Sequence, residues 1–304
     1  QIRTRIQKFT DFRSRYFVFS SKKMNEYTSQ EELVEEFDKF DIIIVGSDQV
    51  WNVENDGFTP VYYLPFKLKA RKITYAASIG VSQVEKLKEY SVYMDDFFLL
   101  STREEKAKKI LEECTHKTVD VVLDPTLFVD SDFYDTLLKG YKCEYLAVKE
   151  KYMLAVFYGR KNLSKFRKSA EKLAQKFSLP LKIINVNFGA AAYASNLIND
   201  AGPLDFLSLI KNAECVCTNS FHNMAFALIY DRPFYVFEDN ALDVRKVGIL
   251  KTLKLQDRIV YGDDISSITK LDCDFKENKL ILDHLKLQSF AFLDQIDRLG
   301  SIQI

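Results

Sequence analysis

Histidine, pairable cysteine and net charge are what this chain has little of. It holds three histidines in 304 residues, His116, His222 and His284. Its five cysteines, Cys114, Cys143, Cys215, Cys217 and Cys273, are odd in number and contain no C-x-x-C pair. No histidine stands at ligand spacing from a cysteine, so a zinc site is not expected. Cys215 and Cys217 lie in an apolar run, where a free cysteine acts as a small hydrophobe, and a reducing cytoplasm fits this usage. Lys+Arg and Asp+Glu are both 43, a formal net charge of zero. That leaves no electrostatic footprint for a nucleic acid. Lys165, Arg167, Lys168 and Lys172 are spaced like the wet face of a helix. No apolar run approaches a membrane span, so membrane contact is at most peripheral. No signal-peptide pattern opens the chain and no internal repeat runs through it. The expected location is cytoplasmic, free or at the inner face of the membrane.

What is present is a globular composition, 47% hydrophobic and 28% charged, in a chain long enough for two domains. Ser29-Gln30-Glu31-Glu32 reads as a capping box opening a short helix. Asp41 to Val45 reads as a buried strand that stops at Gly46-Ser47-Asp48. Lys72 to Ala76 is a strand ending at Ala77-Ser78-Ile79-Gly80. Ser82 to about Asp96 has a helical pattern. Phe97 to Leu100, a helix from Glu104 to Cys114, and Val119 to Leu123 follow, the last ending in Asp124-Pro125-Thr126. Asp130 to Glu150 is polar without a sustained apolar period and reads as a connection. The second half repeats the alternation: strands at Met153 to Tyr158 and Leu181 to Val186, helices at Ser164 to Phe177 and Leu204 to Asn212. Asn278 to Leu299 is mostly helix. Strands alternating with helices are the mark of parallel, doubly wound domains. We place an N-terminal Rossmann-like domain at residues 1–140 and a C-terminal one at 150–304, with the last helix near their junction.

The stretch Cys215 to Phe237 organises the second half. Cys215 to Cys217 is a short buried strand. Thr218-Asn219-Ser220 supplies capping side chains, Phe221 to Tyr230 is an apolar helix, and Asp231-Arg232-Pro233 ends it. Phe234 to Phe237 is the next strand. His222 thus falls in a first helical turn, just past a strand's carboxyl end, where open α/β sheets bind ligands and free N–H groups attract anions. Two readings stand open: a catalytic histidine, or one packed beside Phe221 and capped by a carbonyl. Trp51, the only tryptophan, is read as core before binding platform.

Several segments together resemble the polysaccharide pyruvyl transferase family. T-N-S-F-H-N with its helix and R-P-F-Y-V-F is similar to that family's T-[DN]-S-[FR]-H-G and K-P-F segments. F-D-I-I-I-V-G-S-D-Q-V-W-N (40–52), I-T-Y-A-A-S-I-G (73–80), and S-T-R-E-E with V-V-L-D-P-T (101–126) match further blocks in family order. R-K-V-G-I-L-K-T-L-K-L-Q-D-R (245–258) is a weaker match. The resemblance implies a GT-B-like fold, two Rossmann-type domains facing a cleft. It implies transfer of pyruvate from phosphoenolpyruvate to two hydroxyls of a sugar, free or lipid-linked, as a cyclic ketal. It places the essential histidine on His222 and a donor-binding arginine on Arg103. The arginine some members carry two residues before the histidine is Ser220 here, so donor binding either uses another cation, with Arg245 and Lys246 as candidates, or is weaker. The family's N-Y-G-A-x-L-Q segment does not precede Gln1, so either the chain is a fragment or the natural protein lost this wall of its N-terminal domain, and an unpaired sheet position is expected.

The chemistry asks for proton traffic at the donor's vinyl carbon, suited to histidine. A guanidinium fork such as that of Arg103 grips phosphate or carboxylate, although a surface salt bridge to Glu104 or Glu105 is its plain alternative. Asp48 is the candidate to orient or deprotonate an acceptor hydroxyl, or else a turn cap. Ser78 and Asn219 are candidate binding groups, or caps. No metal or redox cofactor is required; phosphoenolpyruvate enters as a substrate. The competing expectations are a nucleotide-sugar glycosyltransferase of the same fold and a non-catalytic glycan-binding protein.

Overall fold

The computed structural model of the chain describes residues 1–20, 22, 24, 27–80, 84–146, 150–159, 162–186, 196–238 and 244–300. In chain order it runs α1 (Ile2–Tyr16), α2 (Gln30–Phe37), β1 (Ile42–Val45), β2 (Arg71–Thr74), α3 (Val84–Lys88), α4 (Ser91–Met94), β3 (Phe97–Thr102), α5 (Glu105–Thr115) and β4 (Val119–Val121). It continues with α6 (Ser131–Leu138), β5 (Met153–Val156), α7 (Leu163–Lys176), β6 (Leu181–Ile184), β7 (Leu197–Ile198), α8 (Pro203–Asn212) and β8 (Cys215–Thr218). The last elements are α9 (Phe221–Ile229), β9 (Phe234–Glu238), α10 (Val244–Thr252), β10 (Ile259–Tyr261) and α11 (Lys276–Gly300). Among the described residues, no helix is long and apolar enough to cross a membrane.

The chain divides into two compact units, each with its own parallel sheet. The first-half unit comprises Phe19–Phe128, Leu242–Ile249 and Leu280–Ile304. Its sheet has the order β1-β2-β3-β4, every pair parallel. One face packs on a core that includes Trp51, Tyr63, Leu87, Met94 and Leu111. The other face, with Ile73, Tyr75 and Val122, is covered by Phe292 and Ile296 of α11. Cover on both faces fits the continuous apolar run F-F-L-L that opens β3. The capping box at Ser29 and Glu32 forms as expected. Trp51 is fully buried, stacked on Tyr63 at 5.0 Å, and its indole N–H donates to the Tyr62 carbonyl. It is core.

β1 departs from the expectation of a buried strand. It is the end strand of the sheet among the described residues, and Ile44 is 48% exposed. The helical pattern from Ser82 to Asp96 becomes two short helices, α3 and α4, within the described residues.

The second-half unit comprises Gln1–Val18, Val129–Ala241 and Leu250–Lys279. Residues 1–18 and 129–140 therefore group with the second half, and 242–249 and 280–304 with the first, which corrects the simple division into 1–140 and 150–304. The polar segment expected as a connection contains α6, whose Tyr134 meets Phe226 of α9 edge-on at 4.9 Å. The sheet has the order β10-β9-β8-β5-β6-β7, all parallel. Cys215 and Cys217 are free and fully buried in its core with Met153, Phe157, Leu173 and Phe237.

Helix α1 joins this unit through its charged side. Arg5 donates to the Asn185 carbonyl at 2.9 Å, and Lys8 meets Asp205 at 2.8 Å and Glu144 at 2.7 Å. Asp205 is fully buried and also accepts from the Tyr141 hydroxyl and the Gly202 N–H. A Cβ on Gly202 would stand 2.5 Å from the Cβ of Lys8, so only glycine lets the lysine stem lie there.

Candidate active-site residues

In the second-half unit the strand order runs outward from β5 through β6 to β7 on one side, and from β8 through β9 to β10 on the other. The reversal lies between β5 and β8, and their carboxyl ends form the crevice where such sheets take ligands. Asn219 bridges it. Its amide accepts from the Tyr158 N–H at 2.8 Å and donates to the Tyr158 carbonyl at 2.9 Å, tying the two post-strand loops together. Thr218 is buried and donates to the Val156 carbonyl, while accepting from the Ser220 N–H and the Asn223 amide at 3.0 Å each. Ser220 is the N-cap of α9, and its side chain makes no cap hydrogen bond. His222, the second residue of α9, is half-buried, with its ring edge-on to Phe221 at 5.4 Å. Both expected features of His222 are thus present: the strand-end position and the contact with Phe221.

The first-half unit gathers a second group. Gly46-Ser47-Asp48 follows β1, Ser78 follows β2, Arg103-Glu104 follows β3 and Asp124 follows β4. Parallel strands put all four segments at one end of the sheet. Gly46, at φ +119°, carries the turn; a Cβ there would stand 2.2 Å from the Tyr75 carbonyl oxygen. Two residues on, Asp48 is also left-handed, at φ 62°. Its carbonyl accepts from the Ser78 N–H at 2.9 Å.

Arg103 occupies the centre. Its Nη2 donates to Asp48 at 2.8 Å, its Nε to Glu104 at 3.3 Å, and its Nη1 to Asp124. Its side chain is 3% exposed, those of Glu104 and Asp124 are equally buried, and that of Asp48 is 56% exposed. Burial works against the charged guanidinium, but Asp124, Glu104 and Asp48 outweigh it and hold the arginine pKa above its usual value. Burial pushes the Glu104 carboxyl up, opposed by Arg103 and by the hydroxyls of Ser78, at 2.6 Å, and Thr102, at 3.0 Å. Asp124 also accepts from the Ser47 hydroxyl at 2.8 Å and the Thr126 N–H at 3.0 Å. Among the described residues no group of histidine, cysteine and carboxylate side chains is arranged to hold a metal ion.

The structure therefore brings Asp48, Ser78 and Arg103 into one network, and Asn219, Ser220 and His222 into another. Ser78 is fully buried on Glu104 rather than presented to solvent. Arg245 stands in α10, and its side chain lies outside the described residues. Lys246, beside it, is buried. Sequence reasoning read Thr218 as a capping residue and assigned no role to Asp124 or Asn223. Asp124 could have been found by treating every post-strand carboxylate as Asp48 was treated.

The family model for polysaccharide pyruvyl transferase matches residues 3–240. No curated protein matches. Solved structures share the fold at low identity. The UDP-GlcNAc 2-epimerase of Methanocaldococcus jannaschii aligns with a TM-score of 0.58 at 16% identity, covering 90% of this chain and 86% of that one. The Neisseria meningitidis UDP-GlcNAc 2-epimerase, bound to UDP-GlcNAc, gives 0.55 at 14% identity, with 94% and 89% covered. The wall teichoic acid polymerase TagF gives 0.52 at 11% identity, with 97% and 85% covered. These neighbours make the fold GT-B-like, two Rossmann-like units.

Proposed function

Because this chain belongs to the polysaccharide pyruvyl transferase family, we propose that it moves the pyruvyl group of phosphoenolpyruvate onto two hydroxyls of one sugar. The vinyl C3 of the donor gains a proton and C2 gains the oxygen of the first hydroxyl. The second hydroxyl then displaces phosphate at C2, and a cyclic ketal with a new methyl group remains. Its acceptor is a sugar of a cell-surface polysaccharide or of its lipid-linked precursor. The observation that carries this reading is the family match across residues 3–240.

His222 is the residue we assign to the proton delivered to C3, because an imidazole near neutrality can give and regain a proton. The first turn of α9, with the Ser220 hydroxyl, offers N–H donors to an anionic group of the donor. Asn219 holds that turn against the loop after β5. Asp48 is assigned to the acceptor hydroxyl, and Arg245 remains a candidate cation for the donor. No step of this chemistry calls for a metal or a redox cofactor.

The test is a donor comparison with the full chain and a panel of glycans. Phosphate release that depends on both phosphoenolpyruvate and a glycan supports the reading. The GT-B-like fold also suits a nucleotide-sugar transferase, the second reading. Turnover of a nucleoside diphosphate sugar, with phosphoenolpyruvate inert, would decide for it.

A further inference from the structure

We propose that Arg103 is a positioning residue for Asp48, and not the fork that grips the donor. This rests on the pyruvyl-transfer reading for the role of Asp48, but its geometry stands independently. Three of the five N–H donors of Arg103 lie on carboxylates of this same unit, those of Asp48, Glu104 and Asp124. The guanidinium is buried while the Asp48 carboxylate it holds faces solvent. Two of the anchors, Glu104 and Asp124, are themselves buried and fixed by the hydroxyls of Ser78, Thr102 and Ser47.

An incoming phosphate or carboxylate would have to approach a cation already facing three like-charged groups. Each of those carboxylates repels an incoming anion at close range. The same arrangement suits a different task. An exposed carboxylate is ordinarily free to rotate, whereas Asp48 is held at three points. Its side chain is on Arg103, its carbonyl on the Ser78 N–H, and its own N–H on the Ser47 hydroxyl. Its backbone is in the left-handed region, which a carboxylate residue tolerates better than most. Ser47 and Arg103 meet again on Asp124, so two of the three holders of Asp48 share one buried anchor. A supporting layer that fixes a reactive group through buried hydrogen bonds is how sites are made rigid.

The test is Arg103→Lys, which keeps the charge and loses the fork, beside Asp48→Asn and the double variant. We expect Arg103→Lys to lower kcat at least tenfold with the KM for phosphoenolpyruvate within about twofold. The double variant should fall no further than the worse single one, since both act through Asp48. Calorimetry with phosphoenolpyruvate alone should give a Kd for Arg103→Lys close to that of the wild type. A rise of tenfold or more in that Kd or KM, with kcat kept, would overturn the proposal and restore Arg103 as the donor fork. If the wild type neither binds nor turns over phosphoenolpyruvate, the pyruvyl reading fails. The proposal is then judged by the crystal structure of Arg103→Lys. A displaced Asp48 carboxylate supports it, and an unmoved one refutes it.

Discussion

Replacing Asp124 with asparagine probes the buried anchor of the strand-end network. The change is nearly isosteric, so it tests charge and hydrogen bonding rather than packing. In the native arrangement Asp124 is surrounded by donors: the Arg103 guanidinium, the Ser47 hydroxyl and the Thr126 N–H. An asparagine can keep its oxygen on Thr126, but its NH2 must then face Arg103, donor against donor. Removing one partner of a buried ion pair costs about 3–5 kcal/mol. Here Arg103 retains Glu104 and Asp48, and Ser47 can rotate to accept, so we expect a loss shifted below that range, about 2–4 kcal/mol. The control is Lys108→Ala in the same unit, where the pair with Glu112 spans 3.8 Å and both side chains are 35% exposed. That pair is worth at most about 0.5 kcal/mol. Because the chain has two units, the assay should be amide hydrogen exchange resolved to β3 and β4, backed by urea unfolding. A loss in Asp124→Asn no larger than in Lys108→Ala would refute the view that Asp124 anchors a buried charge network.

Gly46→Ala should cost more than about 2 kcal/mol, because alanine is strained at its φ and the Cβ meets a backbone oxygen that cannot swing away. Gly57→Ala, with open space at the Cβ, should fall within about 0.5 kcal/mol of wild type in the same urea experiment. Lys8→Met should cost about 1–3 kcal/mol, since Asp205 keeps Tyr141 and Gly202 but loses its cation. Exchange of the α1 amides should rise with it, and unchanged α1 protection would show that the pair does not hold the helix. Burial raises the Cys143 thiol to about 11. The neutral thiol therefore dominates below that pH, and alkylation followed by mass spectrometry should accelerate roughly tenfold per pH unit from 8 to 10. A flat profile at Cys143 would contradict the shift.

Short-range features were legible in the sequence, and long-range ones were not. The strand, cap and helix around His222 span fewer than twenty residues, so local chemistry alone placed His222, Asn219 and Ser220 at a strand end. The capping box at Ser29 was read for the same reason. The Arg103 network was read only in part. Its contact with Glu104 is between neighbours and matches the plain alternative in partner only, because the pair is buried and not on a helix surface. Its contacts with Asp48 and Asp124 exist only because parallel strands bring the ends of β1, β3 and β4 together. The I-I-I-V run of β1 has the composition of a buried strand, but its exposure follows from its place at the end of the sheet. Helix α1 groups with the second half through Lys8 and Asp205, 197 positions apart, which no local pattern could announce.

The central claim, pyruvyl transfer with a proton delivered to the donor's C3, is tested most directly by NMR of the product formed in D2O. The full chain is incubated with phosphoenolpyruvate and a turned-over glycan, and the new methyl group is examined. The account predicts a ketal methyl carrying one deuteron from solvent, CH2D, in step with phosphate release. It also predicts that His222→Ala slows its appearance about a hundredfold or more. Phosphate released with only free pyruvate beside it, or no methyl group on the glycan at all, would contradict the account.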